Sequence, residues 1–426
     1  MDKLLVGKKL LILAGGPNLV TLVKRAQELG VYVIVTDYYD HIDSPAKDIA
    51  DEAWDISWAD IDTLEEKCRI NNVDGITTGY SESPVECCIE LCERLGLPCY
   101  CTREQLAFTR DKVLFKKVCR ENGVPTVKEY SSVDEVDEYP VIIKPVDRAG
   151  SIGVGIANNY DELVRAYEYA MDMSYCKHVI IEKYITGTKI DVYYEIRNGV
   201  IRLLSTDDVI MAAANGTERV VQSAWVLPSR HHDLIVEKTD QALRKMIHNL
   251  GIKDGYIFIS GFDDNGEFCY FESGFRLCGG HLYEYFVNKG DVNNQDIFIY
   301  HALLGSTTEI QNNNIKNDQL KCVNINIYSK AGKIGKIEGI SQISQMYDCK
   351  FALNLANVGQ ECKDDKAILC KIAMYYFCGE DTLKLKADVD EAYKMIKVES
   401  VSGEDMIYDR IDSSVLPEWW AHEYGK

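Results

Sequence analysis

The chain has 426 residues, 46% hydrophobic and 27% charged, with a formal net charge of −20. That length exceeds a single core and suits two to four domains or lobes. So acidic a balance repels phosphate-rich partners and excludes a nucleic-acid or anionic-membrane surface, though a local basic pocket can still hold a small anion.

Fifteen cysteines form no C-x-x-C pair, and Cys87, Cys88, Cys92, Cys99 and Cys101 fall in apolar runs. They read as reduced core thiols of a cytoplasmic protein, ahead of zinc ligands. No stretch is long enough to span a membrane. The apolar run after Lys8 and Lys9 is too short for a signal peptide and reads as a first core strand.

Residues 8 to about 100 alternate strand and helix. Strands are expected at Leu10–Ala14, Val31–Thr36, Asp74–Thr78 and Leu97–Tyr100, with helices through Leu29 and over 61–71 and 82–95. This order predicts a parallel, doubly wound sheet. The Gly15-Gly16-Pro17 turn lacks the full G-x-G-x-x-G pattern, so a structural tight turn outweighs a phosphate cradle.

A helix from Arg103 to about Asn122 ends at Gly123 and Pro125. Next come strand Val141–Lys144, a glycine-bearing loop over 147–155, a helix over 161–171 and strand Val179–Ile185. Antiparallel strands follow in 190–205 and 256–273. Asn198-Gly199 and Asn265-Gly266 fit their hairpin turns, and a helix spans 234–250 between them. Beyond 320, 325–328 and 332–340 look strand-like, and 388–396 looks helical.

Four segments carry chemistry. Lys144 ends an apolar run just before Pro145, which stops the strand and leaves an ammonium at a sheet edge, ready for phosphate oxygens or simply for water. Gly150, Ser151, Ile152 and Gly153 begin a loop whose backbone N–H groups can approach phosphate closely; three glycines in six residues also suit a hairpin. Glu182 and Lys183 interrupt an apolar strand. Either an adenine edge meets them, or they face opposite ways on an edge strand, both solvated. Glu272 and Arg276 follow the second hairpin. The carboxylate suits Mg²⁺ and the guanidinium suits a substrate carboxylate or acyl phosphate, unless the two simply pair with each other.

In this order the segments resemble the ATP-grasp superfamily, of the carboxylate–amine ligase and carbamoyl-phosphate-synthetase-like kind, over roughly residues 8–340. The resemblance implies an α/β and α+β architecture. It comprises a Rossmann-like domain at 1–105, a two-lobed ATP-grasp fold at 106–184 and 185–315, and an accessory β/α region at 316–426 with a small β-rich piece near 331–339. It implies ATP and Mg²⁺ as cofactors, and a small carboxylate and an amine as substrates. The carboxylate is activated as an acyl phosphate.

Carried over by position, Lys112 and Lys144 contact phosphates and the loop from Gly150 covers them. Glu182, Lys183, Tyr184 and Ile185 form the adenine hinge, Glu272 is a metal carboxylate and Arg276 a catalytic arginine. Three departures stand out. Gly274 replaces the usual Asn, and Ile259 with Ser260 occupies the place of an acidic metal ligand. Lys189 occupies that of the ribose-binding acid, with Asp191 a substitute two residues on. Asp207, Asp208 and Asp263 are further substitutes for the metal.

Those departures keep a second reading open: a nucleotide-binding regulatory or assembly subunit with little turnover. Residues 205–232, with Asp207, Asp208, Arg219 and Arg230, are expected to border the acceptor pocket. His281 is expected to be structural or to line that pocket, and Trp419-Trp420 to anchor the C-terminus or a subunit contact. A homodimer is the default assembly.

Overall fold

The computed structural model describes residues 3–148, 152–213, 220–312, 316–363, 370–411 and 413–416. Gly150, Ser151, Arg219 and Trp419-Trp420 lie outside these residues.

The first sheet is parallel, in the order β3 (Glu52–Trp54), β2 (Tyr32–Thr36), β1 (Lys9–Leu13), β4 (Gly75–Thr77). Leu10 and Ile12 of β1 enter one core and Leu11 and Leu13 the other, so both faces are covered, as a parallel sheet requires. The expected strand at Leu97–Tyr100 does not form. Pro98 has no N–H for a ladder, and the segment leads into Thr102, which caps the Arg103–Arg110 helix through a capping box with Gln105.

The single helix expected from Arg103 to Asn122 is broken at Asp111. Its backbone is extended (φ −90°, ψ 107°), and its carboxylate accepts from the N–H groups of Val113 and Leu114, starting a second helix at Lys112–Asn122. That break fixes the direction in which Lys112 leaves the chain.

A small antiparallel sheet runs β5 (Glu129–Tyr130), β8 (Val179–Lys183), β6 (Val141–Pro145), β7 (Gly155–Ala157). Helix Tyr160–Met173 packs on it through Leu163 and Ala170.

The large antiparallel sheet has eight strands: β9 (Thr188–Arg197), β10 (Val200–Ala213), β11 (Val220–Leu227), β12 (Gly255–Asp264), β13 (Glu267–Phe275), β14 (Lys321–Ser329), β16 (Cys349–Asn354) and β18 (Cys370–Gly379). Their order in space is β13-β12-β9-β10-β11-β14-β18-β16, so one sheet continues unbroken from residue 188 past residue 370. Asn198 and Gly199 (φ 51° and 77°) and Asn265 and Gly266 (φ 55° and 86°) make the two tight turns as expected. The helix expected over 234–250 contains a π turn at Val236–Asp240, with α-helix on either side. The back of β14 and β18 packs Ile325, Tyr375 and Phe377 against Leu385 and Val389 of helix Thr382–Met395. A three-stranded sheet of β15 (Gly332–Glu338), β17 (Glu361–Cys362) and β19 (Lys397–Ser400) closes the chain.

Among the described residues no helix is long and apolar enough to cross a membrane. All fifteen cysteines are unpaired.

Candidate active site

Strand register places the polar groups of the large sheet. Glu272 of β13 lies opposite Ser260 of β12, Ser260 opposite Asp191 of β9, and Asp191 opposite Asp207 of β10. Residues directly opposite share a face, so these four form one row across one side of the sheet. Lys189, two residues from Asp191, is on the same face, and its Nζ sits 3.7 Å from the Asp191 carboxylate.

Within this row, Ser260 Oγ donates to Asp191, and Tyr193 Oη donates to Asp207. Burial, then repulsion from Asp191, pushes the Asp207 carboxyl well above the usual carboxylate range. Burial works against the Lys189 ammonium, but Asp191, Glu272 and Asp207 outweigh it and raise its pKa. The row thus holds a compensated charge cluster beside an open carboxylate, Glu272, which is exposed.

Lys112 reaches the same region from the start of its helix. Burial holds its ammonium below the ordinary lysine value, then repulsion from Lys144, against Glu272, Glu182 and Asp147. Lys144 Nζ lies 5.7 Å from the centre of the Phe271 ring, next to Glu272 in the chain. Lys112, Lys144 and Glu272 therefore share one electrostatic neighbourhood, drawn from two helix- and strand-ends and two sheets.

Glu182 does not wait for an adenine edge. Its carboxylate is almost wholly buried and pairs with Lys144, at 2.6 Å, and with Lys116. Lys116 is fully buried and also meets Glu129 at 2.6 Å. Burial alone would raise the Glu182 carboxyl, yet Lys144 and Lys116 hold it below its usual range. Lys183 faces away, half-exposed, 3.5 Å from Glu138. The two charges thus point opposite ways, but β8 lies between β5 and β6 and is no edge strand, and Glu182 is buried rather than solvated, neutralised by lysines. Lys116 escaped the sequence reading, although it stands four residues from Lys112, on the same helical face.

The hinge backbone is partly engaged. Lys183 N–H donates to Lys128 O and Tyr184 N–H to Pro140 O; among the described residues no backbone bond is seen for Ile185 N–H. Gly187 then passes so close to β12 that an added Cβ would lie 2.2 Å from Asp263 O. Ile152 and Gly153 close the loop between β6 and β7, and Gly153 (φ 75°) packs on Pro145 and Met173.

The departures have structural reasons. Gly274 lies opposite Phe258, and a Cβ there would meet the Phe258 ring at 2.3 Å. That ring sits 5.2 Å under the Arg276 guanidinium. The space of a longer side chain at 274 is filled by an aromatic platform for the arginine. Arg276 does not pair with Glu272; its Nη1 donates to Tyr80 O and Leu277 O, both at 3.0 Å, and its buried Nε has no partner. Ile259 is buried on the other face, and Ser260 stands opposite Glu272, where a bulge after Ser260 shifts the register.

Two substitutes proposed for the metal are taken. Asp208 accepts from Ser229 Oγ and Arg230 Nε. Asp263 accepts from Gly266 N–H and pairs with His231. Arg230 is thereby tied to Asp208, on the face opposite Asp207, and does not join the row.

Beyond Arg276 the chain packs against the loops at the carboxyl ends of the first sheet's strands. Asn18, in the turn after β1, pairs with His281 Nε2 at 3.0 Å. Tyr80, following β4, stacks on His281 at 4.3 Å. Gly15-Gly16-Pro17 leads into a short 3-10 turn at Pro17–Leu19, with Gly15 N–H bonded to Asp37. Burial drives the His281 pKa down to about 3, so the imidazole is neutral. Asn18 and Tyr80 gave no sequence signal.

Among the described residues one cluster has the ligand spacing of a soft metal: the thiols of Cys88, Cys92 and Cys99, mutually within 4.8 Å. The cysteines are thus not evenly scattered through the core. This group lies at the Val85–Leu95 helix and the segment after it, outside the row described above. The acidic row offers hard oxygen donors instead, of which Glu272 is the exposed one. Mg²⁺ needs only one or two carboxylates beside nucleotide phosphates.

Two facing sheets thus carry lysines on one and a carboxylate and an arginine on the other. Residues 137–281 match the family described as ATP-grasp domain, and the chain carries such a domain behind a Rossmann-like one. It is 30% identical over 148 residues to the carbamoyl phosphate synthase large chain, N-terminal section, of Methanopyrus kandleri, covering 34% of this chain and 26% of the relative. It is 34% identical over 108 residues to the D-alanine–D-alanine ligase of Fusobacterium nucleatum, covering 24% and 35%. The chain thus spans only about a quarter to a third of these two relatives. Biotin carboxylase from Campylobacter jejuni has the same fold, with a TM-score of 0.77 at 17% identity over 97% of this chain and 96% of that one.

Proposed function

We propose that the protein is an ATP-dependent ligase that activates a small carboxylate and joins it to an amine. The supporting observation is the convergence of Lys112, Lys144 and Glu272 on the face that also carries Asp191 and leads to Arg276. ATP would lie between the small and large sheets. Lys112 and Lys144 would neutralise its phosphates, and the backbone near Ile185 would meet the purine. Arrival of phosphate would draw Lys144 from Glu182, which keeps Lys116 as its counter-ion.

Phosphoryl transfer is mainly a matter of positioning and of offsetting charge on the moving group. Glu272, with Asp191, would hold Mg²⁺, which supplies positive charge to the phosphates. A substrate carboxylate oxygen would take the terminal phosphoryl and release ADP. The amine nitrogen would then attack the acyl carbon, expelling phosphate and losing a proton. Arg276, fixed over Phe258, has Nε free to steady the carboxylate and then the acyl phosphate.

A second reading, a nucleotide-binding subunit without turnover, draws on Ser260 opposite Glu272 and on Lys189 competing for Asp191. ADP release with ATP, Mg²⁺ and a panel of carboxylate and amine pairs separates the two. Turnover lost in Lys144→Ala supports the ligase; tight ATP binding with no turnover on any pair supports the subunit. Turnover unchanged in Lys144→Ala refutes the site.

A further inference from the structure

The site face of the large sheet does not stop at Asp207. On β10 and β11, Val209 lies opposite Trp225, and on β11 and β14, Trp225 lies opposite Asn324. On β14 and β18, Asn324 lies opposite Tyr376. The face that begins at Glu272 therefore continues through Trp225 and Asn324 to Tyr376, whose hydroxyl bonds Gly280 O, four residues beyond Arg276.

Lys371 is aimed onto this face by a bulge. Strict alternation along β18 puts Ala373 and Tyr375 on the back, in the core with Leu385, and Met374 and Tyr376 on the site face. It would send Lys371 to the back as well. A register shift at Ile327/Tyr328 brings Lys371 opposite Tyr328, and Ile372 takes its place in the back core. The ammonium then hangs 5.6 Å from the Trp225 ring and 5.5 Å from the Tyr328 ring. Bulges recur where a side chain is re-aimed at a site.

Lys371 is half-buried, and among the described residues no carboxylate pairs with it. Burial pulls its pKa down to about 8, as expected for an ammonium that lacks a counter-ion. Beside it, Asn326 Nδ2 donates to Asn324 Oδ1 at 2.7 Å. That bond leaves Asn324 Nδ2 and Asn326 Oδ1, both buried, with no partner. Buried polar atoms in this state are costly unless something meets them. A cation and an amide donor, both unmet, against aromatic walls describe a receptor for a small anion with an apolar or planar body.

We propose that Lys371 and Asn324 Nδ2 form a subsite for a free carboxylate on the amine substrate, so that this substrate is an amino acid. The proposal rests on the ligase reading for its substrate class. The carboxylate to be activated belongs near Arg276 and Glu272. A second carboxylate, which must not be phosphorylated, is held away from the phosphates, and Lys371 on the far strands supplies that hold. Lys371 is a binding residue here and takes no part in bond-making.

Calorimetric titration of the ADP-loaded protein with the standard amino acids and their matching amides tests this without turnover. At least one acid is expected to bind about tenfold or more tightly than its amide, the scale of a charge-assisted hydrogen bond. That preference disappears in Lys371→Met and survives in Lys371→Arg, while ADP affinity stays the same in both. If no acid outbinds its amide, or if the preference persists in Lys371→Met, the subsite is wrong. Acid preference lost in Lys371→Met, together with no ADP release on any pair, keeps the subsite and sinks the ligase reading instead.

Discussion

Lys116 is the most exacting test of the nucleotide side of the site. Replacing it by Met keeps most of the volume and removes the ammonium that bridges Glu182 and Glu129. Breaking a buried ion pair by deleting one partner costs roughly 3–5 kcal/mol. Two features here reduce that figure. Glu182 keeps Lys144 at 2.6 Å, and the Glu129 side chain, 30% exposed, can turn to water. About 3 kcal/mol is therefore expected. With a urea slope of roughly 1–3 kcal/mol/M, the transition reporting on the small sheet should move down by at least about 1 M. The remaining lysine is then bound more tightly by Glu182, so the KM for ATP should rise. Lys116→Met with Glu182→Gln should recover much of the stability, because the uncompensated charge is gone. A single variant within about 0.5 kcal/mol of the parent, or a double variant weaker than the single, would refute the reasoning.

Other outcomes follow from the same structure. The Glu182 carboxyl is held below its ordinary value of 4.5, so its stabilisation is present above that pH and fades as pH falls through the lower folded value. Acid unfolding should begin at higher pH in Lys116→Met. His281 has the opposite chemistry and the same sign. With its pKa down from 6.5 to about 3, the unfolded chain binds the extra proton between those values, and stability falls as pH drops from 6.5. His281→Phe should flatten that slope in urea titrations run at several pH values, by up to about 1.4 kcal/mol per pH unit. Gly187→Ala drives a methyl into Asp263 O, a backbone atom, and should cost about 1–3 kcal/mol and weaken ATP binding in calorimetry. Asp111→Ala removes the helix cap at about 1 kcal/mol, and by loosening Lys112 should raise the KM for ATP more than it lowers kcat.

The local part of this molecule was readable from its residues. The Asn-Gly turns, the alternation of strand and helix to residue 95 and the opposite facing of Glu182 and Lys183 all depend on neighbours close in the chain. What stayed hidden depends on partners far away. Asp111 splits a helix because its carboxylate is better used as a cap, which an apolar period over 103–122 does not reveal. Gly274 looks like a lost ligand until Phe258, sixteen positions earlier, is seen lying across it. Lys371 sits in an apolar run that reads as featureless core, and only its pairing with β14 turns it toward the site. Tyr80 and Asn18 meet His281 because two strands of another sheet end there, information that no local pattern carries.

The continuity of the large sheet has a consequence for how this chain can be cut. Ala224 to Leu227 form a ladder with 322–325, whose strand is in turn bound to 370–379. Trimming the polypeptide at residue 320 would bare the amides and carbonyls of β11 along a flat, largely apolar rim, the kind of surface that recruits neighbouring chains into aggregates. The last hundred residues are therefore a structural closure for the sheet that carries Glu272 and Asp191, and a shortened form should precipitate rather than stay folded.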